Sequence, residues 1–297
     1  MSRQNTWFTF TSPDMWLGEF DLPADDSRWA TTNTIDDRGP VIAFPRTTVR
    51  IEQEGHASVV SDPMRAVLYR AGQPYRREVV SAEGDRCSFI SFSRSLAAEA
   101  AGVFDSTADD PWTYRFPFPV AQLGAADYRL HQLVRMRLAA GDAADDEVRE
   151  ALYHLLWRVV ASGYGAASIP EQRRPQTAAG HVAAVEEVRA SLGRDLAVTA
   201  PLDELAASVH LSPFHLARVF REGTGRSIHG YRTEVRLRAS LGQIADGARL
   251  ADVAANLGFA SQAHFTDRFR RAFGIAPSAW RQMRRNVEAI GGRARLA

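Results

Sequence analysis

The sequence predicts an α+β fold: an N-terminal antiparallel β-barrel with a helical pair, followed by an all-α C-terminal domain of two helix-turn-helix units. Three observations carry this. Short β-rich runs alternate with turn residues between 29 and 93, apolar residues take up helical spacing from about 123, and residues 202–232 recur at 250–281. At 297 residues the chain has room for two cores, since domains commonly run about 100 to 200 residues.

Composition narrows the class. Hydrophobic residues make up 45% and charged residues 24% of the chain, the balance of a globular protein. No apolar run approaches the roughly 18 residues of a membrane span. The opening MSRQNTWFTFTSPDMW has neither the apolar stretch nor the small-residue cleavage site of a secretory signal. The expectation is a cytoplasmic, nucleoid-associated protein with no membrane contact. Cys87 is the single cysteine, which excludes an internal disulfide and a zinc site built from several thiolates. The net charge of +1 hides a division: residues 1–177 carry 19 Arg against 24 acidic groups, and 178–297 carry 17 Arg against 11. A basic module joined to an acidic remainder suits a chain of which one part meets a polyanion.

The β-rich runs are VIAF from 41, TTVRIEQEG from 47, ASVVSDP from 57, RAVLYRAGQP from 65 and REVVSAEGDRCSFISFS from 77. Their length, β-branched content and Gly/Pro punctuation read as a compact antiparallel sheet or barrel, placed within 1–122. Next comes the helical pair, 123–164. Val148, Leu152, Leu155, Leu156, Val159 and Val160 fall on one helical face, preceded across a loop at Gly141 by a weaker stripe of Leu130, Leu133, Val134 and Leu138. Residues 165–177 gather Gly, Ser, Pro and charge without apolar periodicity and read as a linker. The helical domain is placed at 178–290, and GGRARLA at 291–297 as a disordered tail.

The repeat specifies the C-terminal domain. At a spacing of 48 residues before Ala260 and 49 after it, Leu202 falls on Leu250, Leu205 on Val253, Ala206 on Ala254, Leu211 on Phe259 and Ser212 on Ser261. Farther on, Leu216 matches Phe265, Phe220 matches Phe269, Gly225 matches Gly274 and Tyr231 matches Trp280. Each copy has a small alanine where two helices cross, a serine placed to cap the second helix, and a glycine to end it in the left-handed conformation. Pro213 suits the first helical position. Ser227 to Asp246 reads as a connecting helix, stopped at Gly247, with apolar residues on more than one face. Its length of about 30 Å is near the roughly 34 Å between successive major-groove faces of B-DNA. Two recognition helices then reach adjacent major grooves on one side of a duplex.

The run from Leu202 to Arg281, through LDELA, LSPFHLARVFREGTG, Tyr231 to Arg236 and VAANLGFASQAHFTDRFRRAFGIAPSAWR, resembles the DNA-binding domain of AraC/XylS-type transcription regulators. The N-terminal architecture is similar, more loosely, to that family's cupin-like effector domain with its helical dimerisation pair. The resemblance implies double-stranded promoter DNA and RNA polymerase as partners, a small-molecule effector and a homodimer. It implies no cofactor and no enzymatic activity.

Taking Leu216 and Phe220 as inward, the first recognition helix turns Phe214, Arg218 and Arg221 outward, with His215, Ala217 and Glu222 beside them. Arg218 is the leading base reader, because a guanidinium bonds guanine O6 and N7 together. His215 reaches either a base or a phosphate. Arg221 reads as a phosphate contact or a solvated charge, and Phe214 as a partner for sugar or thymine methyl or as ordinary interdomain packing. The second recognition helix exposes Gln262, Ala263, Thr266 and Asp267 towards bases, Gln262 suiting adenine and Thr266 thymine. Asp267 either accepts from cytosine N4 or weakens the second half of the contact. Arg270, Arg271, Arg284 and Arg285 read as phosphate clamps, which position without specifying sequence.

In the N-terminal region His56, His131 and His154 include no H-x-H pair, which argues against a metal centre and leaves the barrel as a binding pocket. Trp29, Phe44, Tyr69, Tyr75 and Phe89 are candidates to line it or simply to fill the core. Cys87 reads as a small core residue or a redox-sensing thiol, and DNA-repair methyl acceptors that share the helix-turn-helix pattern need a cysteine cluster this chain lacks. The helical pair either dimerises the protein or caps the barrel. A transcription activator is the leading function; a repressor using the same contacts, and an enzyme tethered to DNA, are the alternatives.

Overall fold

Strands form where β-branched and aromatic residues sit on a pleat with both faces covered. The computed structural model describes residues 6–108, 110, 115–141, 144–167 and 175–284. The centre of the expected linker at 168–174, Arg285 and the tail 291–297 lie outside the described residues. Ten strands are described: β1 (Thr6–Thr11), β2 (Met15–Leu22), β3 (Asn33–Thr34), β4 (Val41–Pro45), β5 (Val49–Gln53), β6 (Val59–Ser61), β7 (Arg65–Tyr69), β8 (Pro74–Val79), β9 (Asp85–Phe92) and β10 (Val120–Gln122). They pair antiparallel as a six-stranded sheet, β1-β2-β9-β4-β7-β10, and a four-stranded sheet, β3-β8-β5-β6. The expected barrel is thus two antiparallel sheets, whose ladders do not join into one ring among the described residues.

Side-chain alternation sorts the apolar residues into two layers. Val41, Ala43, Val67 and Tyr69 of the larger sheet meet Val49 and Ile51 of the smaller one. Ile42, Phe44, Ala66, Leu68, Ile90 and Phe92 point the other way, towards α2 (Ala125–Ala140) and α3 (Asp145–Ala167). Between the sheet and these helices His131 of α2 is wholly buried. Phe44 stacks on its ring at 4.1 Å, and its Nε2 lies 3.0 Å from the Ser88 hydroxyl. The strong stripe Val148 to Val160 is buried as its spacing predicts. In α2 the buried face also takes in Tyr128, His131, Gln132 and Met136, which is why its apolar stripe is faint.

After α1 (Arg94–Gly102) and the helical pair come α4 (Pro175–Arg194), α5 (Leu202–Ser208), α6 (Pro213–Thr224), α7 (Ile228–Ala245), α8 (Leu250–Asn256) and α9 (Gln262–Phe273). Helical residues 277–284 follow. The apolar cores do not divide where the linker was expected. Sheet, α2 and α3 share one buried cluster with Leu241, Phe265, Phe269, Phe273 and Trp280. A second cluster gathers Val188, Leu216, Phe220 and Tyr231 around the first helix-turn-helix, together with Met64 from the β6–β7 turn.

Candidate nucleic-acid interface

Each helix-turn-helix unit is shaped by residues the repeat marks. In the first, the Ser212 hydroxyl accepts from the His215 N–H at 3.3 Å, with Pro213 in the first turn of α6. The second matches it, the Ser261 hydroxyl accepting from the His264 N–H at 3.1 Å. Gly225 and Gly274 end α6 and α9 at φ +71° and +73°, the left-handed region open to glycine. Ala206 and Ala254 are buried at the crossings.

The turns inside the two units differ. At Gly258 φ is +68°, and a Cβ there would lie 2.5 Å from the Ala197 carbonyl oxygen. The matching residue of the first unit is His210, the one non-glycine residue with positive φ among the described residues, at 55°.

α7 joins the units. Ser227 caps it by accepting from the Gly230 N–H at 3.1 Å, and Ile228, Tyr231 and Val235 pack into the first unit's core while Leu237, Leu241 and Ile244 pack into the second. Its 18 residues span about 27 Å at 1.5 Å each. Arg236 adds a polar staple that the apolar pattern cannot reveal. Its guanidinium donates to the Leu196 carbonyl at 2.6 Å, the Gly258 carbonyl at 3.0 Å and the Thr199 hydroxyl at 3.1 Å. The approach to the first unit and the turn of the second are thereby fixed to one helix.

On α6, Phe214 is 82% exposed, and Ala217, Arg218 and Arg221 also face solvent. Arg218 pairs with Glu222 at 3.2 Å. His215 departs from the outward position expected of it: its Nε2 is buried without a hydrogen-bond partner, and its ring meets His181 of α4 edge-on at 5.1 Å. On α9, Gln262, Ala263, Asp267, Arg270 and Arg271 are exposed and Thr266 half-buried. Arg271 donates to Asp267 at 3.1 Å, so the carboxylate that would repel a phosphate already has a counter-charge. Arg284 is turned back to Asp246 at 3.2 Å. The structure therefore offers two outward faces, one per recognition helix, carrying Phe214, Ala217, Arg218 and Arg221 on the first and Gln262, Ala263, Thr266, Asp267, Arg270 and Arg271 on the second.

Of the five aromatic residues proposed to line a pocket, Trp29, Tyr69, Tyr75 and Phe89 lie together between the sheets, the Tyr69 and Tyr75 rings 4.9 Å apart. Phe44 does not join them. The pleat turns it onto the outer face of the larger sheet, against His131. Two polar residues escaped sequence reading. Arg77 is almost wholly buried and pairs with Asp85 at 3.1 Å, its guanidinium 4.2 Å from the Phe20 ring and 5.3 Å from that of Tyr75. Its Nε has no partner, and the Tyr69 and Tyr75 hydroxyls have none among the described residues. Burial pushes the Asp85 carboxyl up against the opposing pull of Arg77, and pushes the Tyr75 hydroxyl to about 12. The Cys87 thiol is also pushed well up, by burial and then by Asp85, which favours the small-core-residue reading over a reactive thiolate. No group of three or more His, Cys, Asp or Glu among the described residues is arranged to hold a metal ion. No described helix is long and apolar enough to cross a membrane.

Comparison with known proteins bears on the helical third. A family model described as a helix-turn-helix domain matches residues 205–283. Over 80 residues the chain is 39% identical to the HTH-type transcriptional activator RhaR of Pectobacterium atrosepticum, covering 27% of this chain and 28% of that one. Over 92 residues it is 30% identical to the bifunctional transcriptional activator/DNA repair enzyme AdaA of Bacillus subtilis, covering 31% of this chain and 44% of AdaA. The chain thus matches less than half the length of either relative. Among solved structures, unsaturated fatty acid bound ToxT from Vibrio cholerae aligns over 92% of this chain and 97% of its own, at 13% identity and a TM-score of 0.37. A DNA-binding transcriptional dual regulator from Escherichia coli aligns over 35% of this chain and 93% of its own, at 24% identity and a TM-score of 0.32. Residues 205–283 are thus a helix-turn-helix domain similar to those of the transcriptional activators RhaR and AdaA.

Proposed function

We propose that this protein is a sequence-specific DNA-binding transcription regulator that activates at promoters. The observation that carries the reading is the pair of outward-facing recognition helices fixed to one connecting helix by Arg236. Phe214, Ala217 and Arg218 read bases in one major groove, and Gln262, Ala263, Thr266 and Asp267 in the next. Arg221, Arg270 and Arg271 contact phosphates, joined by Arg284 once it leaves Asp246. His215 supports the helix from behind. RhaR and AdaA, which share the domain, are named as transcriptional activators, and this favours activation through contact with RNA polymerase.

A small-molecule effector binds between the two sheets. Trp29, Tyr69, Tyr75 and Phe89 supply the apolar walls, and the Arg77–Asp85 pair with two unpartnered tyrosine hydroxyls supplies polar recognition. The chain works as a homodimer through the outer face of α3, where Trp157 remains 46% exposed beside Phe104. α2 is buried against the sheet and serves as its cover. No catalytic role is assigned. Selection from random duplex DNA, followed by transcription from the enriched site, tests the reading: an enriched motif and raised transcript support activation, a lowered transcript points to repression, and no enrichment contradicts sequence-specific binding. A monomer by light scattering at micromolar concentration would contradict the dimer.

A further inference from the structure

The two helix-turn-helix units are fastened to different parts of the N-terminal half. The first is held by the β6–β7 turn. Met64, 2% exposed, sits in that unit's apolar core with Val188, Phe220 and Tyr231. Beside it Asp62 accepts from the Tyr231 hydroxyl and pairs with Arg189 of α4 at 3.3 Å. Arg189 also donates to the Tyr231 oxygen, with its guanidinium 4.7 Å over that ring. The carbonyl of Pro63 accepts from Arg238 of α7 at 2.6 Å. At the end of the turn Arg65 pairs with Glu186 of α4 at 2.6 Å, and Glu186 accepts in addition from the Val60 N–H at 2.5 Å. Two acids, three arginines and a tyrosine are buried here together, so each group depends on its partners' staying in place.

The second unit has another anchor. Its core is continuous with α2 and α3, and Arg129 of α2 donates to the Phe273 carbonyl at the end of α9. Between the first unit and α3, by contrast, lies a cleft of about 690 Å³, walled by Trp157, Arg158 and Ser162 on one side and Thr224, Gly225 and Arg226 on the other. The first unit therefore has room to move on this side.

We propose that the 61–65 turn is a strut that sets the position of the first helix-turn-helix unit alone, while α2 sets the second. β6 and β7 also contribute Val59, Val67 and Tyr69 to the inter-sheet core. The turn is thus continuous with strands of the inter-sheet core and meets the core of the first unit directly through Met64 and Asp62. Movement of these strands changes the relation between the two recognition helices and leaves the fold of each intact, a two-anchor arrangement rather than rigid transmission through the whole body. The consequence for DNA rests on the regulator reading.

The test is amide hydrogen exchange of the full chain, comparing wild type with Asp62→Asn and with Tyr231→Phe, which removes only one hydroxyl. Exchange in α4, α6 and the first half of α7 is expected to rise about tenfold or more in both variants, with α8 and α9 at wild-type rates. On DNA enriched by the wild-type chain, protection is expected to weaken over the half-site of the first unit only. Unchanged exchange in α4 and α6, or an equal rise in both units, would overturn the strut. If the wild-type chain enriches no DNA, the regulator reading fails while the exchange result still decides the mechanical claim.

Discussion

Arg218 and His131 show what a single side chain does in this molecule. Arg218 stands exposed on α6, paired with Glu222, and can exchange that i,i+4 pair, which contributes a few tenths of a kcal/mol, for a bidentate contact with guanine. Arg218→Ala is expected to cost about 1 to 3 kcal/mol of discrimination at one base pair while leaving weak, salt-sensitive binding. Unchanged selectivity among operator variants in a competition assay would remove the residue from base readout. His131 bears on stability. Burial, helped by Arg135 and Arg46, holds its imidazole well below 6.5, so the folded protein keeps it neutral where the unfolded chain takes up a proton. Stability is complete above about pH 6.5 and falls as the pH drops below it, by at most about 1.4 kcal/mol per pH unit for this one group. His131→Gln should flatten the fall in urea midpoint between pH 6.5 and 5 relative to wild type; parallel profiles would show that His131 does not drive it. Some residues were hidden from the sequence for a physical reason. Asp62, Arg77, Arg189 and Arg236 are polar types normally read as surface, and their burial is made possible by partners that the fold brings to them.

At the scale of elements, the repeat is informative because caps and crossings demand particular residue types at fixed spacings. Ser212 and Ser261 cap as expected, Gly225 and Gly274 terminate, and Ala206 and Ala254 occupy the crossings. The turn within each unit is the exception to symmetry. His210 sits in the left-handed region where its counterpart is Gly258, and a side chain there costs about 1 kcal/mol or more. His210→Gly is expected to raise the thermal midpoint, and Gly258→Ala to lower it by more, because the new Cβ meets the Ala197 carbonyl. Equal effects of either sign in differential scanning calorimetry would contradict this account. The β region was less legible. β2 reads MWLGEFDL, buried along both faces, so the period-two alternation that marks a half-exposed strand is blurred, and neither β1 nor β2 is legible from the sequence. The same burial on both sides makes VIAF of β4 uniformly apolar. Nothing in it says that Val41 and Ala43 face the smaller sheet while Phe44 faces α2, so the sequence alone does not separate Phe44 from the inter-sheet aromatic residues.

For the whole molecule, the division into an acidic sheet-bearing half and a basic helical half describes charge better than it describes packing. The second helix-turn-helix unit shares its core with α2 and α3, and the first takes Met64 from the sheet. Removing the N-terminal half would therefore expose apolar surface on both units; the isolated residues 178–284 are expected to show a lower thermal midpoint or to aggregate. An isolated domain as stable as the full chain would contradict this. In the proposed complex two recognition helices, held by α7 and Arg236, enter successive major grooves on one side of the duplex. Hydroxyl-radical footprinting of the full chain on its enriched DNA site tests this most directly. Two protected patches centred about 10 base pairs apart on the same face are predicted, whereas one patch alone, or two on opposite faces, would contradict the account.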